Sequence, residues 1–110
     1  MLIIVQEADN IEKLKDCIVK AISPLEVYLF GSFAQGNSNE NSDYDFCVIV
    51  HDEEADIMAL TQKAYKSMRG LKNRPVDIVI VKKSRFEERK NWQFSLEREV
   101  ASKGVLLYAA

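Results

Sequence analysis

The chain lacks the features that mark several classes of protein. Its 110 residues include only two cysteines, Cys17 and Cys47, which lie in apolar contexts. Two cysteines are too few for a disulfide framework, so we expect free, buried thiols in a reducing compartment. No apolar run reaches the roughly 18 residues that a membrane span requires. The opening MLIIVQEADN has no basic region and no cleavage site, so we expect no signal peptide and a cytoplasmic protein that does not contact membranes.

The chain also lacks an excess of positive charge. Its net charge is −2 and its pI is about 5.4, so direct binding of nucleic acid is not expected. The charges are nevertheless segregated along the sequence. Residues 37–56 contain seven acids and no Lys or Arg, whereas residues 61–90 contain ten Lys or Arg and three acids. This asymmetry indicates an acidic site beside a basic surface.

Hydrophobic spacing predicts alternating helices and strands in a single domain over residues 1–110. Two capping boxes, at Asp9 with Glu12 and at Ser84 with Glu87, predict helix starts. The predicted elements, in chain order, are helix 10–22, strand 26–30, strand 43–50, helix 52–69, strand 76–81, a last helix that ends at Gly104, and strand 105–108. This order is typical of an α/β (α+β) fold, with a small mixed sheet flanked by helices.

Two aspartates stand out within the stretch GSFAQGNSNENSDYDFCVIV, residues 31–50. Asp43 and Asp45 alternate with apolar residues, so both side chains should point to the same face of the strand. Carboxylates about 6–7 Å apart along a strand repel each other unless water or a cation separates them. A polar strand face in water would explain the pair. A site for Mg²⁺, which favours oxygen ligands and shares them with phosphates, is the functional alternative.

Asp77 and the Gly31-Ser32 turn favour the functional alternative. Asp77 starts another apolar strand, where a charge is costly to bury. If that strand pairs with the strand of Asp43 and Asp45, three carboxylates converge, and such a set can hold two metal ions for phosphoryl transfer. Gly31 and Ser32 follow a strand and predict a short helical turn through Gly36, whose amides and hydroxyl can hold a phosphate. Each feature alone is common, and their order and spacing together carry the interpretation.

These residues resemble a known family. Gly-Ser, then ten residues, then Asp-Tyr-Asp-Phe, then a later strand with one acid, is similar to the pattern of the DNA polymerase beta-like nucleotidyltransferase superfamily. The stretch LFGSFAQGNSNENSDYDFCVIV and the ending EREVASKGVLLY resemble the minimal nucleotidyltransferases of bacteria and archaea. The resemblance covers nearly the whole chain and implies a nucleotidyltransferase-like fold. One departure concerns charge, because residues 31–42 lack the Arg or Lys that many members carry after Gly-Ser.

The resemblance implies an activity and its residues. Asp43 and Asp45 would ligate two Mg²⁺ ions, Asp77 would ligate one and help to deprotonate the acceptor hydroxyl, and Gly31 and Ser32 would hold the phosphates of ATP. The expected activity is transfer of AMP to a tyrosine of a HEPN-type toxin, for which this protein would be the antitoxin. Alternatives are an antitoxin that acts by binding alone, or an aminoglycoside-type nucleotidyltransferase. A homo- or hetero-oligomer is compatible with each of them.

The remaining aromatic and histidine residues have simpler interpretations. Trp92 and Phe94 either lie in the core or form a surface for a partner, and the core is favoured because large aromatic side chains are usually buried. Tyr44 alternates away from the acids and is expected to pack. His51, the single histidine, has no nearby ligand type and is expected at the surface.

Overall fold

Four strands form one mixed sheet in the computed structural model, which describes residues 5–110. The elements are α1 (Val5–Ile22), β1 (Glu26–Phe30), α2 (Ser32–Gln35), β2 (Tyr44–Val50), α3 (Ile57–Ser67), β3 (Val76–Lys82), α4 (Lys83–Arg89), α5 (Leu96–Lys103) and β4 (Val105–Ala109). The strand order is β3-β2-β1-β4. β1 is antiparallel to both β2 and β4, whereas β2 and β3 are parallel. The predicted fold class, a small mixed sheet with flanking helices, is confirmed.

The start of the chain and the length of its helices bear on the expected absence of a leader and of a membrane span. Residues 1–4, on which the signal-peptide expectation partly depends, lie outside the described residues. Within residues 5–110, no helix combines the length and the apolar character that a membrane crossing requires.

Helices cover both faces of the sheet, because alternate side chains of each strand point to opposite sides. On one face, α1 and α3 bury residues such as Leu14 and Phe46. On the other face, α4 and α5 bury Ile49, Phe86 and Val100. Each large apolar side chain buried in this way contributes about 1.5–3 kcal/mol. The two cores fix the sheet between the helical layers.

The predicted free thiols are present, although only one of them is fully buried. Cys47 lies in the core under α4 and α5, and Cys17 on α1 is partly exposed. Burial raises the pKa of the Cys47 thiol to about 12. A thiol with so high a pKa stays protonated and unreactive at neutral pH.

The first helix starts earlier than its capping box predicts. α1 is already helical at Val5, so Asp9 lies inside the helix instead of capping it. The reason is a tertiary contact, because Glu7 in the first turn accepts hydrogen bonds from Tyr44 and Arg74. The predicted end, just before Pro24, is confirmed at Ile22.

The third helix starts later than predicted. Residues 52 and 53 form a turn closed by a hydrogen bond from the Glu54 amide to the His51 carbonyl. Asp56 then caps α3 by accepting a hydrogen bond from the Ala59 amide at 3.0 Å. Residues 52–54 are all acidic and cannot extend the apolar stripe of α3. The chain therefore turns before Asp56 instead of continuing as a helix. His51 is exposed, as expected.

The predicted last helix is two helices, and its predicted capping box is wrong. α4 starts at Lys83, and the Ser84 amide donates to Asp52 of a different segment at 2.9 Å. Ser95 is the true cap of α5, because its hydroxyl accepts from the Arg98 amide. Between the two helices, Phe94 has a φ of 68°. The left-handed backbone at Phe94 interrupts the helix.

The expectation that Trp92 and Phe94 lie in the core is also wrong. Trp92 is 47% exposed and Phe94 is 94% exposed. Both belong to the turn between α4 and α5, which projects from the sheet face instead of packing on it. By contrast, Tyr44 is completely buried, so its predicted packing role is confirmed.

Gly104 provides a test of the packing between α5 and the sheet. A Cβ at this position would lie 2.5 Å from the Val100 carbonyl oxygen and 3.1 Å from that of Leu29. Because both atoms are backbone, the helix end would have to shift. We expect Gly104→Ala to lower the free energy of unfolding by about 1–3 kcal/mol, measured by urea denaturation. Lys103→Ala, at an exposed neighbour, should change it by less than about 0.5 kcal/mol, and equal losses in the two variants would contradict this packing.

Candidate active site

Three strand ends meet at one end of the sheet and bring two of the predicted acids together. Asp45 of β2 is the register partner of Phe30 in β1 on one side and of Asp77 in β3 on the other. Because β2 and β3 are parallel, partners in register point to the same face. Asp45 and Asp77 are therefore neighbours at the sheet surface, as the sequence predicted. Asp45 is half-buried and Asp77 is exposed.

Gly31 closes the other side of this site. It follows the last residue of β1 and has a φ of 78°, a backbone conformation that glycine adopts without strain. A Cβ at this position would overlap the carboxylate of Asp45. The glycine therefore allows the backbone and the carboxylate to approach each other closely. This contact explains why the turn and the acid occur together in the sequence.

The predicted turn after Gly31 is confirmed as the short helix α2. The Gln35 amide bonds back to the Gly31 carbonyl at 3.1 Å, and Gly36 ends the helix in the left-handed conformation. Ser32 is the first helical residue and is half-buried. The first amides of a helix have no partner within it. The amides of Ser32, Phe33 and Ala34 therefore have no partner within α2, which starts directly after the glycine that contacts Asp45.

Asp43 lies one residue before β2 and does not complete a three-acid cluster. Within residues 5–110, no group of three or more His, Cys, Asp or Glu side chains is arranged to hold a metal ion. The structure thus brings together Asp45 and Asp77 but leaves Asp43 outside that pair. Asp43 is nevertheless close enough to influence Asp45. After burial and the charge of Asp77, the negative charge of Asp43 also raises the pKa of the Asp45 carboxyl group.

The electrostatics of Asp45 fit a cation. Burial, followed by the negative charges of Asp77 and Asp43, raises the pKa of Asp45 to about 6 from its usual value of 3.8. A hydrogen bond with Asp77 and the charge of Glu99 on α5 act in the same direction. Acids that repel each other in this way lack a positive counter-charge. Oxygen ligands with excess negative charge are what Mg²⁺ takes in proteins, so the donor set fits this ion.

Arg74 fixes the loop that leads to Asp43. Its guanidinium donates hydrogen bonds to the carbonyls of Asn39, Glu40 and Ser42, at 3.2, 3.4 and 2.8 Å, and pairs with Glu7 at 2.9 Å. Only 16% of the Arg74 side chain is exposed. This arginine therefore ties α1, the loop before β2 and the start of β3 into one unit.

The same cation is held by two aromatic rings. The Arg74 guanidinium carbon lies 5.0 Å from the ring centre of Phe33 and 5.5 Å from that of Tyr44. Residues 31–42 have no cation of their own, and Arg74 enters this region from a distant part of the sequence. Its two Nη groups donate to carbonyls and to Glu7, whereas its buried Nε has no hydrogen-bond partner among residues 5–110, so Arg74 organises the loop through its Nη groups.

Sequence reasoning missed three contributors to this site: Glu7, Arg74 and Glu99. Arg74 and Glu7 are 67 residues apart along the chain, and no short-range pattern connects them. Glu99 lies on α5, whose start the sequence placed wrongly. The one available signal was Arg74 directly before Pro75 and the strand of Asp77, a charged residue at the edge of an apolar segment.

The chain belongs to the Polymerase beta nucleotidyltransferase family, whose pattern matches residues 12–110. This membership confirms the nucleotidyltransferase resemblance of the sequence. No curated protein matches the chain by sequence.

Solved structures with the same fold include toxin–antitoxin complexes. One, a toxin–antitoxin with AMP-PNP, is 26% identical with a TM-score of 0.62, over 90% of this chain and 73% of that one. A mutant of the MntA-HpeT toxin–antitoxin, with two aspartates changed to glutamate, is 24% identical with a TM-score of 0.61 over the same shares. A candidate nucleotidyltransferase from Sulfolobus solfataricus is 19% identical with a TM-score of 0.65, over 96% and 82% of the two chains.

The raised pKa of Asp45 predicts a pH-dependent stability difference. Between pH 3.8 and about 6 the folded protein holds a proton that the unfolded chain releases, so stability falls as the pH rises through this window. In metal-free protein with EDTA, Asp45→Asn should therefore be more stable than wild type above pH 6, by about 1 kcal/mol after discounting for solvent screening. The difference should disappear below pH 3.8. Urea denaturation across pH 3–8 measures it.

The matched control for that experiment is Glu53→Gln, an exposed acid in the turn before α3. At pH 8 its free energy of unfolding should differ from that of wild type by less than about 0.5 kcal/mol. Equal stability of Asp45→Asn and wild type at pH 8 would show that the acids of the site do not repel each other in the folded state.

Arg74→Met should loosen the loop before Asp43. Three carbonyls and the carboxylate of Glu7 lose their partner, so we expect the free energy of unfolding to fall by about 3 kcal/mol. Amide exchange of residues 39–42 should accelerate more than that of β1. Arg69→Met, at an exposed arginine on the C-terminal side of α3, is the control and should leave both measurements unchanged. A uniform acceleration across all strands would argue against a local role for Arg74.

Proposed function

We propose that this protein is a Mg²⁺-dependent nucleotidyltransferase that transfers AMP from ATP to a tyrosine hydroxyl of a HEPN-type toxin and so acts as its antitoxin. The observation that carries the proposal is the pairing of Asp45 with Asp77 across parallel strands, with Gly31 directly against Asp45. Two carboxylates beside a turn with free amides are what a metal–triphosphate complex requires.

Each candidate residue has a role in the proposed reaction. Asp43 and Asp45 would hold two Mg²⁺ ions and Asp77 would hold one of them, although Asp43 lies outside the Asp45–Asp77 pair in the structure. Gly31 and Ser32 bind the terminal phosphates through backbone amides and the Ser32 hydroxyl. When bound, the ions neutralise phosphate charge and favour in-line displacement.

The proposed transfer forms one bond and breaks one. The acceptor oxygen attacks the α-phosphorus and loses its proton to Asp77, and the new P–O bond joins AMP to the acceptor. The bond between the α-phosphorus and its bridging oxygen breaks, and pyrophosphate leaves with that electron pair. The exposed position of Asp77 supports its role towards an acceptor that arrives from outside.

Solved structures of similar proteins support the proposal. A relative that is 26% identical was crystallised as a toxin–antitoxin with AMP-PNP, an analogue of ATP. The two aspartates replaced in the MntA-HpeT mutant are two positions apart, the same spacing as Asp43 and Asp45. Another MntA-HpeT structure, 25% identical with a TM-score of 0.57, replaces a tyrosine by alanine.

A second candidate function is neutralisation of the toxin by binding alone. Two observations favour it: the acids do not form a complete three-carboxylate cluster within the described chain, and Arg74 is engaged by the protein itself. An antitoxin of this kind would need the fold but not the carboxylates.

Label transfer tests the first candidate. We expect the protein, incubated with Mg²⁺, α-³²P-ATP and the product of the adjacent gene, to label that product. Asp45→Asn and Asp77→Asn should each lower the rate at least about 100-fold, as loss of a charge-stabilising group does in other enzymes. The control Glu53→Gln should label at the wild-type rate. Equal labelling by wild type and Asp45→Asn would contradict the proposal.

Growth rescue separates the two candidates. Co-expression of wild type with the toxin should restore growth, and Asp45→Asn should not, if transfer of AMP is the neutralising event. If Asp45→Asn restores growth as well as wild type, binding alone is the function.

A further inference from the structure

A groove of about 730 Å³ runs beside strand β3 and is separate from the paired acids. One wall is β3 itself, the other is the turn between α4 and α5, and the start of α3 closes one end. Its lining includes Ile57, Ile80, Arg85, Arg89, Trp92 and Phe94. Nothing in the proposed transfer of AMP uses this groove.

The backbone of β3 can accept another strand along this groove. β3 lies at the edge of the sheet and pairs only with β2 within residues 5–110. The Ile78 amide points away from β2, because it donates to the Tyr65 hydroxyl at 2.8 Å. Ile80, two residues on, has the same orientation and lines the groove. Because Tyr65 of α3 occupies the Ile78 amide, the edge that can act as a template for an extended chain begins at Ile80.

The opposite wall presents aromatic surface that the fold does not bury. Phe94 is 94% exposed and has a left-handed φ of 68°, a conformation that is unfavourable for phenylalanine. The turn is nevertheless well braced, since the Ser95 hydroxyl donates to the Arg89 carbonyl at 2.6 Å and the Arg89 guanidinium lies 4.9 Å from the Trp92 ring centre. Strain of this kind persists where the surroundings enforce it, often at binding sites.

The charge of the groove selects its occupant. Its charged lining residues are Lys82, Arg85, Arg89 and Glu97, which give three positive charges against one negative charge. Glu97 is buried and already paired with Arg85 at 3.4 Å. The groove is therefore cationic on a protein whose net charge is −2. Charge complementarity favours an acidic segment.

The groove also leads to the candidate active site. Val79, which lines it, follows Asp77 by two residues on the same face of β3. By the rise of a strand, the two side chains are about 6–7 Å apart. A chain that lies along the groove would therefore reach the acids.

We propose that the groove binds an extended, acidic segment of the protein acceptor as an added strand on β3. This segment presents its hydroxyl residue to Asp77. The inference rests on the proposed function for the identity of the acceptor, but the binding itself requires neither metal nor nucleotide.

Trp92 is the only tryptophan, so its fluorescence reports directly on the groove. The experiment uses Asp45→Asn protein in EDTA, without nucleotide, and 15-residue peptides tiled across the product of the adjacent gene, with any tryptophan in them replaced by phenylalanine. We expect an acidic peptide to shift the Trp92 emission and to slow amide exchange at Ile80. The same peptide with its acids changed to lysine should bind at least about tenfold more weakly.

Two variants and a control locate the binding. Phe94→Ala and the double variant Arg85→Ala, Arg89→Ala should each weaken the peptide about tenfold or more, as loss of an interface anchor does. Leu106→Ala removes a side chain that is 50% exposed on β4, at the opposite edge of the sheet, and should leave binding unchanged. Thermal unfolding confirms that all variants fold.

Several outcomes would overturn the inference. They are the absence of any peptide that binds below about 1 mM, equal binding by Phe94→Ala and wild type, or unchanged exchange at Ile80. A shift of Trp92 emission by ATP alone that the peptide cannot compete with would assign the groove to a nucleotide instead. Peptide binding in the groove without any label transfer to the whole acceptor would contradict the proposed function and leave this inference intact. If Phe94→Ala transfers label to the whole acceptor as fast as wild type, the groove is not where the acceptor binds, and the proposed function stands.

Discussion

The parallel pairing of β2 with β3 is the constraint on which the site depends. It sets Asp45 opposite Asp77 in register, and a slip of one residue would send one of these carboxylates to the opposite face of the sheet. The register is held by buried side chains, because Phe46 and Ile78 pack on one face while Cys47 and Val81 pack on the other. The apolar residues of these strands thus determine where the acids lie.

This arrangement has an electrostatic cost that the fold tolerates. Burial of Asp45, and after it the negative charges of Asp77 and Asp43, disfavour the ionised carboxylate and raise the pKa of Asp45. Gly31 brings backbone against this carboxylate with no side chain between them. On the other side of β2, Arg74 joins Glu7 to the carbonyls of the preceding loop.

The two proposals use opposite signs of charge on one strand. β3 starts with an exposed acid, Asp77, and ends with Lys82, after which α4 carries Arg85 and Arg89. A metal–nucleotide complex suits the acidic end, and an acidic acceptor suits the basic end. The acidic segment 37–56 and the basic segment 61–90 of the sequence thus meet along β3, where Asp45 is the register partner of Asp77 at one end and Lys82 lies at the other.

The sequence by itself determined the strands, the glycine turn, and the nucleotidyltransferase family that its motif indicates. Periodicity identifies strands such as 26–30 and 76–81 because alternation and burial are local properties of the chain. Only the tertiary structure decided how helices begin and what surrounds the acids. The cap of the Ser84 amide comes from Asp52, and Arg74 reaches Glu7 across 67 residues. Contacts of that range leave no short-range pattern, which is why the exposed turn at Phe94 and the loop held by Arg74 emerged only when the chain was folded.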